Sequence, residues 1–111
     1  MYKRQGSNNV AIGYGAMSNA DGDEDDNVCI GKDAGDDIDN GNQNIMIGAS
    51  TNPSTAAATN QTCVGFNVDG QADNSVVLGN ASVTKLYAAQ DGGAVISAGG
   101  LGIGLAAVAP S

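Results

Sequence analysis

The chain has 111 residues with 17 glycines, one phenylalanine and no tryptophan, so it can form at most one small domain built from small side chains. Its 12 acidic residues outnumber four basic ones, and the net charge of −8 argues against nucleic acid and anionic membranes as partners. With no histidine and two cysteines, a structural zinc site within one chain is disfavoured.

Residues 1–8 are a polar, basic lead-in without the apolar stretch of a secretory signal. A five-residue unit then recurs, which we call a rung: a polar residue, three mostly apolar residues and a glycine. The first rung is Asn9-Val10-Ala11-Ile12-Gly13, and the later rungs end at Gly31, Gly48, Gly65 and Gly79, in steps of 18, 17, 17 and 14 residues. This periodicity predicts a stacked array in which each rung is a short β-strand bounded by turns.

Successive residues of a strand point to opposite faces, and both faces of this ladder are apolar. A chain of this size has an interior for one face, so we expect the second to be covered by further copies arranged around an axis. The alternative is that the connectors between rungs fold back over it. The predicted core and trimer contacts are Val10, Ile12, Val28, Cys29, Ile30, Ile45, Met46, Ile47, Cys63, Val64, Val76, Val77 and Leu78.

The two cysteines are predicted to be buried free thiols. Cys29 and Cys63 occupy the middle position of rungs two and four. Because stacked strands lie about 4.8 Å apart, the two Cα atoms would be separated by about 9–10 Å. A disulfide requires less than about 7 Å, which disfavours an intrachain bridge.

Catalysis is not expected, because no histidine can activate a nucleophile and the carboxylates cluster in polar connectors. No cofactor is expected either. Calcium is the one ligand to weigh, but Asp26 stands where an EF-hand loop needs glycine, and Lys32 where it needs glutamate. Solvated acidic loops are the simpler interpretation. The weak calcium candidates are Asp21, Asp23, Asp25, Asp36, Asp37 and Asp39.

The pattern changes after Gly79. Residues 80–88 alternate as an extended strand that leaves the array, Gln90–Gly93 is a turn signal, and Ala94–Ser97 is a further short strand. Residues 98–111 are almost devoid of polar side chains but too short and glycine-rich for a transmembrane helix, so packing around a threefold axis is expected. The predicted divisions are a lead-in at 1–8, a β-solenoid at 9–80 and an extended C-terminal trimerisation segment at 81–111.

Two tracts carry a family resemblance over residues 9–97. The first rung and the string 27–35 resemble repeats of trimeric adhesin head domains and phage tail fibres. The tract 75–87 resembles the tail-fibre segment ahead of a C-terminal intramolecular chaperone. The resemblance implies a left-handed parallel β-roll or β-helix that trimerises, and a chaperone that cleaves itself off after a serine, which would make Ser111 the processed end. The uneven rung spacing and Thr62 at an apolar position depart from the head-domain pattern.

We therefore expect an all-β protein: a parallel β-solenoid of about five rungs, followed by extended C-terminal strands and assembled as a homotrimer. The expected function is structural and adhesive, as part of a phage tail fibre or spike in the virion. Other tail or baseplate proteins and a host receptor, either a glycan or an outer-membrane protein, are the expected partners. The connectors 18–26, 36–43 and 49–60 are the expected receptor surface.

Two other functions stay open at this stage. One is a fragment of a bacterial trimeric adhesin head on the cell surface, which a membrane anchor or coiled-coil stalk in the parent gene would favour. The other is an ice- or surface-binding solenoid, which needs flat threonine ladders. Thr51, Thr55, Thr59 and Thr62 do not fall at rung spacing.

Overall fold

The computed structural model describes residues 6–102, and the chain folds there as an all-β parallel β-solenoid of about four turns, as predicted. Five short strands stack in chain order in a single parallel sheet. The predictions on residues 1–5 and 103–111, Ser111 included, lie outside the described residues. The strands are β1 (Val10–Ile12), β2 (Val28–Ile30), β3 (Ile45–Ile47), β4 (Gln61–Val64) and β5 (Ser75–Leu78).

The strands align rung on rung, with equivalent residues paired across every step. The glycine that closes each later rung donates its backbone N–H to the strand before it, as Gly31 does to Ile12 O at 2.8 Å. The connectors stack as well, through parallel bridges between Asn42 and Thr59 and between Asn52 and Asp69. Insertions between rungs therefore widen the turns without disturbing the register of the strands.

The middle residue of each strand points into the solenoid. We call Ala11, Cys29, Met46, Cys63 and Val77 the inner column. Cys29, Met46 and Cys63 are fully buried. The opposite wall of the core comes from the connectors, where Met17, Ala20, Ala34, Ile38 and Val68 pack against the inner column.

A row of side-chain amides, the amide ladder, precedes the strands and consists of Asn9, Asn27, Asn44 and Gln61. Each Oδ1 accepts the backbone N–H of the next member: Asn9 from Asn27 at 2.9 Å, Asn27 from Asn44 at 2.9 Å, and Asn44 from Gln61 at 3.0 Å. The Nδ2 groups of Asn27 and Asn44 donate to connector carbonyls at 2.8 Å. Three of these four residues are fully buried, so the ladder satisfies polar groups that water does not reach.

The residue that precedes each rung adopts a left-handed backbone conformation. Asparagine and aspartate tolerate this region better than other non-glycine residues, and four of these five residues are asparagine or aspartate. The φ angles lie between 56° and 63° at Asn8, Asp26, Gln43, Asn60 and Asn74.

Removing one ladder amide is expected to destabilise the fold. Asn44→Leu preserves approximate size but leaves Gln61 N–H and Ala58 O without their buried partners, at a cost of about 1–3 kcal/mol each. We expect the free energy of unfolding to fall by about 2–4 kcal/mol in urea titrations at one protein concentration. Gln71→Leu, which replaces an exposed amide, should change it by less than about 0.5 kcal/mol. Equal losses in the two variants would refute the role of the ladder.

The C-terminal part differs from the prediction of strands at 80–88 and 94–97. Residues 80–102 contain two turns, closed by Val83 N–H to Asn80 O at 3.0 Å and by Gly92 N–H to Ala89 O at 2.9 Å, but no strand. The segment is extended and mostly exposed, because no neighbouring strand within the described residues pairs with it. Over residues 6–102, no helix is long and apolar enough to cross a bilayer.

Candidate interaction surface

The outward side of the sheet, which we call the outer face, is apolar, and no part of the chain between residues 6 and 102 covers it. Two columns of side chains form it, one on each side of the inner column. Ile12 is 58% exposed and Leu78 51%, while Ile30 and Ile47 in the middle rungs are still 37% and 38% exposed. The connectors therefore do not fold back over this face, and that alternative is wrong. The columns are Val10, Val28, Ile45, Thr62 and Val76, and Ile12, Ile30, Ile47, Val64 and Leu78.

The predicted core and trimer residues thus divide into two groups. Cys29, Met46 and Cys63 are core within one chain, and Val77 is half-buried against it. The nine others lie in the outer columns. Contiguous exposed apolar surface of this kind marks sites of protein association in soluble proteins. The outer face is therefore the strongest candidate contact surface of the described chain.

Two aromatic side chains extend the apolar surface at its edge. Tyr14 and Phe66 directly follow the glycines of rungs one and four and are 82% and 67% exposed. Lys32, one rung below Tyr14, places its ammonium group 5.9 Å from the Tyr14 ring centroid. Lys32 also pairs with the Asp33 carboxylate, which raises the pKa of the lysine. The Lys32 ammonium group is therefore held beside the outer face rather than within it.

The three predicted receptor connectors meet on another side of the solenoid. A shallow cleft of about 370 Å³ takes lining residues from each of them. Among the described residues, its wall carries carboxylates and hydroxyl groups but no lysine or arginine. The lining residues are Asn19, Asp37, Asp39, Pro53, Ser54, Thr55 and Ala56.

Two of the six calcium candidates come together in the fold. Asp21 and Asp39 lie with Glu24, which the sequence prediction missed, and carboxylate oxygens of the three are within 4.8 Å of one another. The other four, Asp23, Asp25, Asp36 and Asp37, lie outside this group. Asp25 accepts the backbone N–H of Ser7, and Asp36 accepts Asn52 Nδ2 at 2.7 Å, so both carboxylates serve the stacking of rungs.

Glu24 holds the first two connectors together. Its side chain is fully buried, and Oε1 accepts the backbone N–H groups of Asp21 at 2.9 Å and Asn40 at 3.3 Å. Oε2 accepts Gly22 N–H at 3.0 Å. Burial alone would raise the pKa of Glu24, but these backbone donors outweigh it and lower the pKa below 4.5. Because both oxygens already bind the backbone, the cluster is structural, and no metal site is assigned to it.

The lowered pKa of Glu24 predicts a specific dependence of stability on pH. A carboxyl whose pKa is lower in the folded state stabilises the fold above its unfolded pKa, near 4.5, and loses that contribution as the pH falls through its folded pKa. The stability gap between the native chain and Glu24→Gln should therefore be widest at neutral pH and shrink steadily below about pH 4.5. Urea titrations between pH 7 and pH 2.5 measure it. A gap that stays constant over this range would contradict the assignment.

Both cysteines are free and buried, in agreement with the prediction, and Met46 pairs with each of them in the rung between. Burial raises the pKa of the Cys29 thiol to about 12, and burial together with the charge of Asp69 raises the pKa of Cys63. Neither thiol is placed to act as a nucleophile.

The threonines do not form a flat array. Thr51 is fully buried and donates its hydroxyl to Gly65 O at 2.8 Å. Thr62 is the single threonine in the outer columns. The outer face therefore offers methyl groups rather than a regular hydroxyl ladder.

No family model, curated protein or solved structure matches this chain. The class that fold and surface define is a short parallel β-solenoid with one uncovered apolar face.

Proposed function

We propose that this chain is a non-catalytic segment of a trimeric phage tail fibre or spike, which displays its connectors to a host surface. The observation that carries the proposal is the uncovered outer face. Eight of its ten side chains are at least 36% exposed, and none is charged. Burying a valine, leucine or isoleucine side chain contributes about 1.5–3 kcal/mol, so the face supplies ample energy for association.

The proposed assembly places three copies around an axis. Both outer columns lie on the same side of the sheet, and cyclic packing would let each copy turn that side toward the axis without leaving an open filament. The acidic side chains favour an orientation of each copy in which the outer face points toward the axis. Nine of the twelve acidic residues lie between Asp21 and Asp39, and none lies in the outer columns. Assembly through the outer face thus buries apolar groups and leaves most of the charge in solvent.

The C-terminal segment supports the same assembly. Residues 81–102 carry large apolar side chains that find no cover among the described residues, including Leu86 at 69%, Tyr87 at 65% and Val95 at 89% exposure. An extended segment without a partner strand is an aggregation hazard unless neighbouring copies pair with it. In a trimer, three such segments lie side by side beyond the solenoid.

The connectors are the proposed attachment surface, and a host glycan or outer-membrane protein is the proposed receptor. They project away from the outer face and converge on the cleft lined by Asp37, Asp39 and Ser54. The virion is the proposed location, with other tail or baseplate proteins as neighbours. A bacterial trimeric adhesin is the alternative within the same architecture, and a membrane-anchor barrel encoded in the parent gene would favour it.

Sedimentation of the full chain at micromolar concentration tests the assembly. The expected species has three times the 10.9 kDa mass of the chain. A monomer at that concentration would overturn the proposal. Attachment to the host is tested in a separate competition experiment. An excess of the purified trimer should block adsorption of the parent phage to its host.

A further inference from the structure

Two further columns of side chains flank the outer face, one along each of its edges. The leading edge holds the residues that precede the rungs, and the trailing edge holds the residues that follow the rung glycines. With the two outer columns between them, they give each rung a row of four side chains. The leading edge is Asn8, Asp26, Gln43, Asn60 and Asn74, all exposed, and the trailing edge is Tyr14, Lys32, Ala49, Phe66 and Asn80.

Backbone hydrogen bonds keep both edges in the register of the strands. On the leading edge, Asp26 N–H bonds to Ser7 O at 3.0 Å. On the trailing edge, Lys32 O accepts Ser50 N–H at 2.9 Å, and Tyr14 O accepts Asp33 N–H at 2.7 Å. Every row therefore spans the same seven residues, and the height of an edge residue along the solenoid is fixed by its rung.

Side chains of the same edge contact one another from rung to rung. Asn8 Nδ2 donates to Asp26 Oδ1 at 3.1 Å, and Asn60 Nδ2 donates to Asn74 Oδ1 at 2.9 Å. On the trailing edge the Lys32 ammonium group lies 5.9 Å from the Tyr14 ring centroid. The edges are therefore stacked columns that run beside the apolar face.

Charge occurs in one of the five rows, and it occurs there at both ends. The row of rung two reads Asp26, Val28, Ile30 and Lys32, and the other four rows contain no charged residue. Lys32 is also the single basic residue between positions 9 and 80. Two apolar residues separate the charges, over roughly 20 Å of extended chain. Lys32 meets Asp33 within its own chain, and its side chain is still 66% exposed.

We propose that Lys32 of each copy pairs with Asp26 of the neighbouring copy, and that these ion pairs hold the copies parallel and in register. The inference rests on the proposed function, in which the outer faces turn toward one axis. When identical copies pack cyclically around an axis along the solenoid, the trailing edge of one meets the leading edge of the next at the same height. Rung two then meets rung two, and three ion pairs surround the apolar centre.

The apolar columns alone would not select this register. They repeat valine and isoleucine from rung to rung, so a copy displaced by one rung buries similar side chains. The same displacement would place Lys32 against Asn8 or Gln43, and neither is charged. Face-to-face antiparallel packing would bring equivalent edges together, and the trailing edge holds no acid for Lys32. Charges beside an apolar seam set partner choice and orientation in this way in coiled coils.

Reversing the two charges tests the pairing. Asp26→Lys would oppose lysines at every contact between copies, and Lys32→Asp would oppose carboxylates. We expect each variant to lower the association constant by about tenfold or more, measured by sedimentation across a concentration series at about 50 mM salt. The double variant restores opposite charges, and its constant should return to within about threefold of the native one.

Asp37→Lys is the matched control. It makes the same change of charge as Asp26→Lys, on an exposed residue of the connector cleft outside the rows. Its association constant should stay within about threefold of the native one. Thermal unfolding of each variant verifies that it folds.

A second measurement uses the native sequence and so does not depend on the folding of any variant. Chains with and without 15N are refolded together and treated with a carbodiimide, which condenses an amine and a contacting carboxylate into an amide. Mass spectrometry should find Lys32 joined to Asp26 in peptides with one labelled and one unlabelled half.

The possible failures are distinguishable. A native trimer that yields no such mixed peptide, or a double variant that associates no more tightly than the single ones, would overturn the ion pair and leave the trimer intact. A native chain that sediments as a monomer would overturn the proposed function, and the ion pair with it.

Discussion

Replacing Ile47 by aspartate is expected to convert the assembled protein into monomers. Ile47 lies in the central strand, and its side chain is 38% exposed at the middle of the outer face. In a trimer the substitution would bury three unpaired carboxylates close to one axis, and an unpaired buried charge costs several kcal/mol. We expect the apparent association constant to fall at least 1,000-fold, as measured by sedimentation across a concentration series.

The control variant introduces the same negative charge on a different surface of the protein. Thr55→Asp adds the same carboxylate to an exposed connector in the cleft, away from the outer columns. It should sediment as the native assembly does. If Ile47→Asp also remains assembled, contact between copies occurs elsewhere, and the outer face is not the interface. If both variants dissociate, total charge rather than the outer face controls assembly.

The strands and their register could be predicted from the sequence because each rung repeats the same short pattern. The assignment of faces could not, since alternation separates two sets of residues without saying which set points inward. Both sets are apolar here, so the usual polar signal is absent. Composition held a usable clue. The inner column mixes Ala11, Cys29 and Met46, whereas the outer columns are almost entirely β-branched, as suits the pleated face of a sheet.

The opposite wall of the core was missed for a physical reason. Ile38 and Val68 lie in otherwise polar connectors of unequal length, so no periodicity marks them. A lone large aliphatic residue in a polar connector is itself a signal that the connector folds inward. Glu24 was missed for another reason. It is one of five acidic residues between positions 21 and 26, and nothing in the sequence distinguishes a carboxylate that binds three backbone N–H groups from solvated carboxylates.

The rung glycines matter because the fold requires the backbones of neighbouring rungs to approach each other closely, in addition to apolar packing. Gly48 has φ of +130°, a region that L side chains rarely adopt. A Cβ placed there would lie 1.6 Å from Gly65 O in the next rung. The same oxygen accepts the hydroxyl of buried Thr51 at 2.8 Å, so it cannot move without breaking a second contact. The stacking distance between β3 and β4 therefore depends on this position.

Gly48→Ala is expected to be among the most destabilising single-methyl changes in the chain. Backbone strain at a forbidden φ costs about 1–3 kcal/mol, and displacement of the following rung adds to it, so we expect a loss of at least about 3 kcal/mol. Urea unfolding at a fixed protein concentration measures the loss, since assembly makes apparent stability concentration-dependent. Gly99→Ala is the matched control, because a Cβ there meets no atom within 4 Å, and its effect should stay within about 0.5 kcal/mol. Similar stabilities for the two variants would mean that neighbouring rungs tolerate a wider separation than the observed stacking.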